Sequence, residues 1–462
     1  MNKTLITIAV AALVSGCSLA PVYQRPGAPV TQAWPQGEAY KPGKPAPDAK
    51  AAADIQWRDF ITDDKLRELV GMALANNRDL RVSTLNIEKA RAQYNIDRAA
   101  LLPKVSAGVD QNASRAPGGT ITRQYTGGLV FPSYELDFFG KVRNLSEAGL
   151  QTYLGTQEAR NAQQIALVSE VATAWLTLAA DKERLRLAQD TLKSQQISFE
   201  LSKRRFDAGA TSGLDMYEAQ SSVEAARNDM AIYTAQVAAD ENALALLVGV
   251  PVPERLLPQG PLDNVAQLAD LPEGVPSAVL QRRPDVVEAE RSLQAANANI
   301  GVARAAFFPS ITLTGTAGSA SSSLSGLFKA GSGAWSFAPQ VNLPIFDGGV
   351  NSANLSIART NRDIAVAQYE KSIQSAFREV ADALAQRGTM DERLASQVAL
   401  TTASEKSFKI HEARYEKGTE SYLNALVSQR AMYSAQQGLI TARLAKATNQ
   451  ITLYKVLGGG WS

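Results

Sequence analysis

The chain has 462 residues, enough for two or three ordinary domains or for one long architecture. Its 47 basic and 45 acidic residues nearly balance, which excludes the charge excess and the basic stripe typical of a nucleic-acid binder. Long stretches rich in Ala, Gln, Ser and Leu contain little Gly or Pro, a composition that favours long helices.

The first sixteen residues have the pattern of an export signal. Lys3 supplies the positive start, residues 5–14 form a short apolar core, and the small residues Ser15 and Gly16 follow. The core is too short to span a bilayer, which needs roughly 20 residues. We therefore predict a signal peptide over residues 1–16. No other apolar run approaches the length of a membrane helix, so a membrane crossing would have to use strands.

Cys17, the only cysteine, follows this signal. The sequence Val-Ser-Gly-Cys ending at Cys17 resembles the lipobox of bacterial lipoproteins, which implies a covalent lipid on its thiol. The alternative is an incidental cysteine in a signal peptide. Ser18 stands where inner-membrane lipoproteins typically carry Asp, a resemblance that implies sorting to the outer membrane. Residues 17–61 are predicted as a lipidated, largely extended segment, whose Pro- and Ala-rich part suits a tether.

The rest of the chain is a tandem duplication. Arg98–Pro103 recurs as Arg304–Pro309, and later matches share an offset of 209 residues. These matches include Glu170 with Glu379, Arg205 with Arg414, Gly209 with Gly418, Leu214 with Leu423, and Gln220 with Gln429. A nearly constant offset over such a distance indicates two copies of one unit. We predict repeat 1 over 62–250, a Pro-rich linker over 251–284, and repeat 2 over 285–462.

Each repeat contains a long helical hairpin, predicted over 141–248 and 349–457. Neither stretch contains a proline, and apolar residues recur at seven-residue intervals in the first of them. These are Val171, Leu178, Leu185, Leu192, Phe199 and Phe206. Gly209 and Gly418 are placed where a helix end favours a left-handed residue, and Thr211, Ser212 or Ser421 would cap the following helix. The alternative is a coiled-coil rod.

Alternating apolar and polar residues predict four strands, at about 104–113, 126–138, 310–318 and 334–345. Each strand alone fits an ordinary half-buried sheet equally well. If the strands enter a membrane, four are too few, because a closed barrel needs about eight and unpaired backbone groups are costly in hydrocarbon. Several chains would then have to share one barrel.

Several stretches resemble the outer membrane factor family, the TolC-type ducts, and especially its lipoprotein branch that serves resistance-nodulation-division pumps. They are Asn77–Arg81, Tyr134–Gly140, Gln281–Asp285, Ala296–Gly301 and Leu457–Trp461. The resemblance implies a homotrimer in which twelve strands form a β-barrel and twelve helices continue it as a periplasmic tunnel. It also implies an outer-membrane location, contact with membrane lipid, and two partners: a periplasmic adaptor protein and the inner-membrane pump.

The resemblance further implies a gate where the hairpin ends converge. Leu423 matches an apolar constriction of the family, and Arg430 matches a gate-side arginine. The acidic position of several relatives is occupied by Val427, which departs from the family's acidic ring. Its counterpart in the first repeat is Glu218, with Asp215 nearby, so the first hairpin is an alternative place for the ring, unless both are simply solvated helix charges. Carboxylate rings around a narrow pore favour cations.

The hairpin turns are the expected contact with the adaptor, through Gly209, Thr211, Gly418 and Glu420, unless these are plain helix turns. Function is then passive export of drugs or toxic small molecules. A duct for type I protein secretion is an alternative with the same fold, and a periplasmic coiled-coil scaffold or adaptor is one from another class.

No catalytic or cofactor-binding pattern is present in the sequence. His411 is the only histidine, and its surroundings lack the second histidine of a zinc-protease helix. Neither a P-loop nor a dinucleotide-binding glycine pattern occurs. We therefore expect no enzyme activity, no metal, no nucleic-acid partner, and no cofactor other than the lipid on Cys17.

Overall fold

A computed structural model of the chain describes residues 18–40, 54–265, 268–269 and 277–460. The signal peptide, Cys17 and Trp461 lie outside these residues. The helices are α1 (Trp57–Phe60), α2 (Asp64–Asn76), α3 (Arg78–Ala99), α4 (Lys141–Asp207), α5 (Gly213–Val248), α6 (Leu262–Val265), α7 (Pro284–Ala305), α8 (Val350–Glu416) and α9 (Tyr422–Val456). The strands are β1 (Ser106–Arg115), β2 (Ile121–Leu136), β3 (Ser310–Ser321) and β4 (Gly333–Asn342). No helix in the described part of the chain is long and apolar enough to cross a membrane.

The observed elements differ from the predicted ones mainly at their ends. β2 begins at Ile121, five residues before the predicted start at 126, because its polar first residues pair with β1 through backbone hydrogen bonds that alternation does not report. β4 ends at Asn342, three residues before the predicted end at 345. The segment predicted to be extended over 17–61 contains the short helix α1.

The Cα positions divide the chain into two compact units. The first comprises the residues up to Ala28, Leu85–Glu158 and Val287–Lys371, and it contains all four strands. The second comprises Pro29–Thr84, Ala159–Val286 and Ser372–Ser462, and it contains both hairpin turns.

The four strands of the first unit form one antiparallel sheet in the order β1-β2-β3-β4. Because directly opposite residues of antiparallel strands point to the same face, the register assigns every side chain to a face. One face carries Val109, Leu129, Phe131, Ile311, Leu313, Trp335, Phe337 and Val341. The other carries mostly Ser, Thr, Gln, Asn, Gly and Ala. Large side chains of the apolar face are exposed, including Trp335 at 81%. The outer edges of β1 and β4 have no strand partner among the described residues.

The start of the described chain is bound to the first unit. The backbone oxygens of Leu19 and Pro21 accept hydrogen bonds from Arg304 and Asn297, both on α7. Glu290, whose side chain is only 7% exposed, accepts two bonds of 2.7 Å from Arg25. An extended chain has no internal partners for its carbonyl groups, and α7 supplies them. The expectation of a tether is therefore corrected for residues 18–25, which are docked.

The second unit is organised around the buried Arg283, which the sequence placed in a family-like motif. Its guanidinium donates to Val456 O at 2.8 Å and pairs with Asp285 and Glu379. Tyr454 stacks on Phe60 with ring centroids 4.0 Å apart. These contacts join the linker region to repeat 2, and they give the buried guanidinium of Arg283 two carboxylate partners and a backbone acceptor.

Candidate functional site

Both helical hairpins turn with the same backbone geometry. Gly209 and Gly418 have φ values of +71° and +74°. In the first turn Ala210 N donates to Arg205 O at 2.7 Å, and in the second Thr419 N donates to Arg414 O at 3.0 Å. Glycine is favoured here because an L side chain is strained in the left-handed region. The sequence prediction of a left-handed glycine at each helix end is confirmed.

The side chains of the two turns differ. In the first, Ser212 Oγ accepts from Asp215 N and caps α5, while the Thr211 hydroxyl donates to the Asp215 carboxylate. In the second, Ser421 makes no side-chain cap bond. Glu420 lies 2.9 Å from His411 Nδ1 instead, which holds the pKa of Glu420 below its usual value.

An apolar cluster joins the two hairpins next to their turns. It consists of the buried Ala219, Tyr422 and Leu426, against which Phe199 and Tyr415 pack. The Arg205 guanidinium lies 4.6 Å from the centre of the Tyr415 ring, a cation–π contact. Burial raises the pKa of Tyr422 to about 12, so this phenol is neutral at any physiological pH.

A ladder of polar contacts continues between the return helices α5 and α9. Arg430 Nη2 lies 3.6 Å from Glu218 Oε2 and 3.3 Å from Ser222 Oγ. Further along, Tyr433 donates to Asp229 at 3.1 Å and Gln437 donates to the Tyr233 hydroxyl at 3.2 Å. Burial and the Asp229 carboxylate raise the pKa of Tyr433. These polar contacts form a seam between α5 and α9.

The structure brings some predicted gate residues together and leaves others apart. Arg430 and Glu218 form an ion pair within one chain, at 3.6 Å. Asp215 is engaged in its own turn by Thr211 and Ser212. Leu423 and Val427 stand one helical turn apart on α9 and are 54% and 57% exposed. The hairpin ends therefore present two exposed apolar side chains beside an ion pair.

Sequence reasoning missed the residues that link the two hairpins. They include Ser222, Asp229 and Tyr233 on α5, and Tyr422, Leu426, Tyr433 and Gln437 on α9. The repeat match of Gln220 with Gln429 was the one signal. Gln429 accepts a hydrogen bond from Gln195 and donates one to Ser194. Among the described residues, no group of three or more His, Cys, Asp or Glu side chains is arranged to hold a metal ion.

Comparison with known proteins identifies this arrangement. The family described as "Outer membrane efflux protein" matches residues 69–250 and 275–459, one match in each repeat. The chain belongs to the outer membrane efflux protein family.

Relatives extend the match over the whole chain. The "Probable efflux pump outer membrane protein TtgC" of Pseudomonas putida is 47% identical, over 100% of this chain and 96% of its own length. A membrane protein of Pseudomonas aeruginosa of known crystal structure is 42% identical with a TM-score of 0.89, covering 96% of this chain and 100% of that one. The open state of the Neisseria gonorrhoeae MtrE outer membrane channel is 37% identical with a TM-score of 0.87, covering 96% and 99%.

Membership of this family confirms the predicted fold class, the outer-membrane location and the role as an efflux duct. The outer membrane efflux protein described here carries two repeats, each with two strands and one long hairpin. Its relatives are channel proteins, and its hairpin ends carry contacts between helices.

Proposed function

We propose that this outer membrane efflux protein assembles as a homotrimer and serves as the passive exit duct of a tripartite pump. Three copies of the four-stranded sheet would give a twelve-stranded barrel, and the hairpins a twelve-helix tunnel. The observation that supports this most is the sheet itself, with one apolar face, one polar face, and two edges that have no strand partner among the described residues. In hydrocarbon each unpaired edge is satisfied only by a neighbouring copy.

Mass measurement and conductance test this proposal together. Purified full-length protein in detergent is expected at the mass of three chains, and planar bilayers containing it are expected to show discrete pores. A stable monomer, or trimers that give no pores, would contradict the duct. An adaptor or scaffold protein gives no pores, so the same recording separates those classes.

The gate is proposed to lie at the hairpin ends, with Leu423 and Val427 narrowing the passage. The contacts of Arg430 with Glu218 and Ser222 would hold the return helices closed. Removing the guanidinium from this seam should favour separation of α5 and α9, because the carboxylate loses its partner.

We expect Arg430→Ala to raise the mean conductance of the pores several-fold, and Glu218→Gln to raise it less. Arg227→Ala is the matched control, since Arg227 pairs with Glu224 on the exposed surface of α5 alone. If all three variants conduct like the wild type, the seam is not the gate.

The partners are proposed to be a periplasmic adaptor protein and an inner-membrane pump of the resistance-nodulation-division class. Adaptor contact would use the turns, at Gly209, Thr211, Gly418 and Glu420, which all lie at the ends of the hairpins. Cysteines introduced at 211 and 420 should cross-link to the adaptor in cells, whereas cysteines on α3 should not.

The cargo is proposed to be organic small molecules, with a covalent lipid on Cys17 as the anchor. The relative TtgC is named for a probable efflux pump, and a Pseudomonas putida relative, ArpC, for antibiotic efflux. Deleting the gene and profiling susceptibility to dyes, detergents, antibiotics and metals would define the cargo. Secretion of a protein lost on deletion, with unchanged susceptibility, would favour type I secretion instead.

A further inference from the structure

The strand ends that lie far from the helices carry an unusual charge pattern. From Gln111 to Tyr134 and from Ser310 to Phe346 the sequence contains no acidic residue. The basic residues in these two stretches are Arg115, Arg123 and Lys329, and all three are exposed. The two hairpin turns of the sheet are therefore purely cationic.

Two of these cations lie on the apolar face of the sheet. Arg123 is opposite Ala113 and Arg115 is opposite Ile121, so both share the face of Val109, which is opposite Gly127. Arg115 and Arg123 are diagonal neighbours across β1 and β2, and such neighbours are about 7–8 Å apart. Arg115 Nε donates to Gly119 O at 3.0 Å, which holds this side chain at the β1–β2 turn.

The β3–β4 connection folds back onto the same face. A Cβ built on Gly127 would meet a Leu327 methyl carbon at 3.3 Å and Phe328 Cζ at 3.5 Å. Leu327 is buried here, while Leu324 and Phe328 are 64% and 77% exposed. Lys329 follows directly, and its carbonyl accepts from Ser332 N at 3.1 Å and from Ser332 Oγ at 2.7 Å. The connection thus presents exposed apolar side chains beside a cation.

The height of Arg123 matches the edge of a bilayer. Leu136, near the helix end of β2, and Arg123 are twelve ladder positions apart after the one-residue bulge between Phe131 and Tyr134. At about 3.4 Å per residue this is about 41 Å along the strand, or about 31 Å along the membrane normal at a tilt of about 40°. The hydrocarbon core is about 30 Å thick, so with Leu136 at its periplasmic edge Arg123 reaches the level of the outer lipid head groups.

We propose that Arg115, Arg123 and Lys329 form a cationic collar that binds the phosphate groups of the glycolipid of the outer leaflet, a lipid A type molecule. The acyl chains of this glycolipid contact the side chains beside the collar, which are Leu324, Phe328 and Tyr125. The bidentate geometry of arginine suits phosphate, and residues 111–134 and 310–346 contribute no carboxylate that would compensate the attraction. This inference rests on the proposed barrel, and it adds a specific lipid to the surface of that barrel.

The test uses purified full-length protein in neutral detergent, titrated with fluorescent lipid A, with dephosphorylated lipid A, and with phosphatidylglycerol. Wild type should prefer lipid A to both other lipids, and the preference should fall as salt rises. The triple variant R115Q/R123Q/K329Q should lose about five-fold in affinity for each cation removed.

Two controls make the result specific. R115K/R123K keeps the charge and should retain most of the preference. A second control neutralises three exposed cations of helix α3, Lys89, Arg91 and Arg98. This variant should keep the preference for lipid A unchanged. Equal binding of dephosphorylated lipid A, equal binding of phosphatidylglycerol, or unchanged affinity in the triple variant would each overturn the collar.

Conductance measured on the same preparations separates this proposal from the proposed duct. If the collar is wrong and the duct is right, pores form while the phosphate preference is missing. If the duct is wrong, the wild type gives no pores whatever lipid it binds.

Discussion

The two helical hairpins share a backbone and differ in what their equivalent positions touch. Their turns use a left-handed glycine at matching places, Gly209 and Gly418. Yet Leu426 is fully buried at 0% exposure, whereas Tyr217, its counterpart 209 residues earlier, is 65% exposed. The partly buried carboxyl of Asp240 in the first hairpin corresponds to the buried amide of Asn449 in the second.

The two copies therefore share the local geometry of their turns, while their long-range contacts differ. In the apolar cluster the return helix of the second hairpin supplies the large Tyr422 and Leu426, whereas the return helix of the first supplies the small Ala219. The two hairpins are therefore not interchangeable at the proposed gate. Substitutions at equivalent positions of the two hairpins test this difference.

The largest effect is expected from the cluster. Leu426→Ala should destabilise the hairpin ends by about 2–5 kcal/mol, because a buried leucine leaves a cavity. Tyr217→Ala at the equivalent exposed site should change stability by less than about 0.5 kcal/mol. Amide hydrogen exchange in the first turns of α9 measures both, and equal acceleration in the two variants would show that burial does not distinguish the hairpins.

The turns should respond alike. Gly209→Ala and Gly418→Ala place a side chain in the left-handed region, at a cost of about 1–2 kcal/mol each. Nothing lies within 4 Å of a Cβ built at either glycine, so no clash adds to the strain. Exchange rates of the turn amides should rise by similar factors, and a much larger effect in one turn would indicate a contact that only that turn makes.

The Asp240 carboxyl should make the first hairpin sensitive to pH. Burial, followed by a hydrogen bond with Asp181, raises the pKa of Asp240 from 3.8 to about 6. Its other neighbours are Gln236, which donates to it, and Arg184, which bonds to Asp181 and to Thr441 of α9.

The pKa of Asp240 is higher in the folded protein than in the unfolded chain. Protonation of this carboxyl therefore stabilises the fold, and the stabilisation is fully present below pH 3.8 and is lost as the pH rises through about 6. The melting temperature should therefore fall between about pH 4 and pH 6.5, by about 2 °C, and stay level above that range. Asp240→Asn, which copies Asn449, should remove this slope. Glu241→Gln, next to it and paired with Lys182, is the control that should keep the slope.

The smallest effect is expected at the second turn. The His411 contact lowers the pKa of Glu420, so the pair stabilises above the ordinary glutamate pKa and its contribution is lost as the pH falls through the lowered value. Glu420→Gln should lower the melting temperature by about 1 °C at pH 7 and by less at pH 4. Thr211→Val in the first turn is the counterpart, and its effect should not depend on the His411 contact.

Much of the fold was predictable because its signals are local. The alternation in 334–345, the proline-free stretches and the glycines at 209 and 418 each report the backbone state of their own residues. The strand ends were less accurate, since backbone pairing extends β2 to Ile121 where the side chains no longer alternate.

The candidate site was predictable only in part. The resemblance pointed to Arg430 and the duplication to Glu218 as gate candidates, but nothing local indicated that they pair with each other. These two residues are more than two hundred positions apart in the chain, and no periodicity of the sequence indicates a contact over that distance. The docking of residues 18–25 on Glu290 and its neighbours was missed for the same reason.

The duplication, the helical hairpins, the alternating strands and the family could be recognised in the sequence, because they follow from periodicity, turn chemistry and motifs. The folded chain was needed to show which equivalent residues are buried, which charges are paired, and which face of the sheet carries Arg123. Those outcomes depend on packing between distant segments, where a side chain's surroundings and not its own identity determine what it contributes.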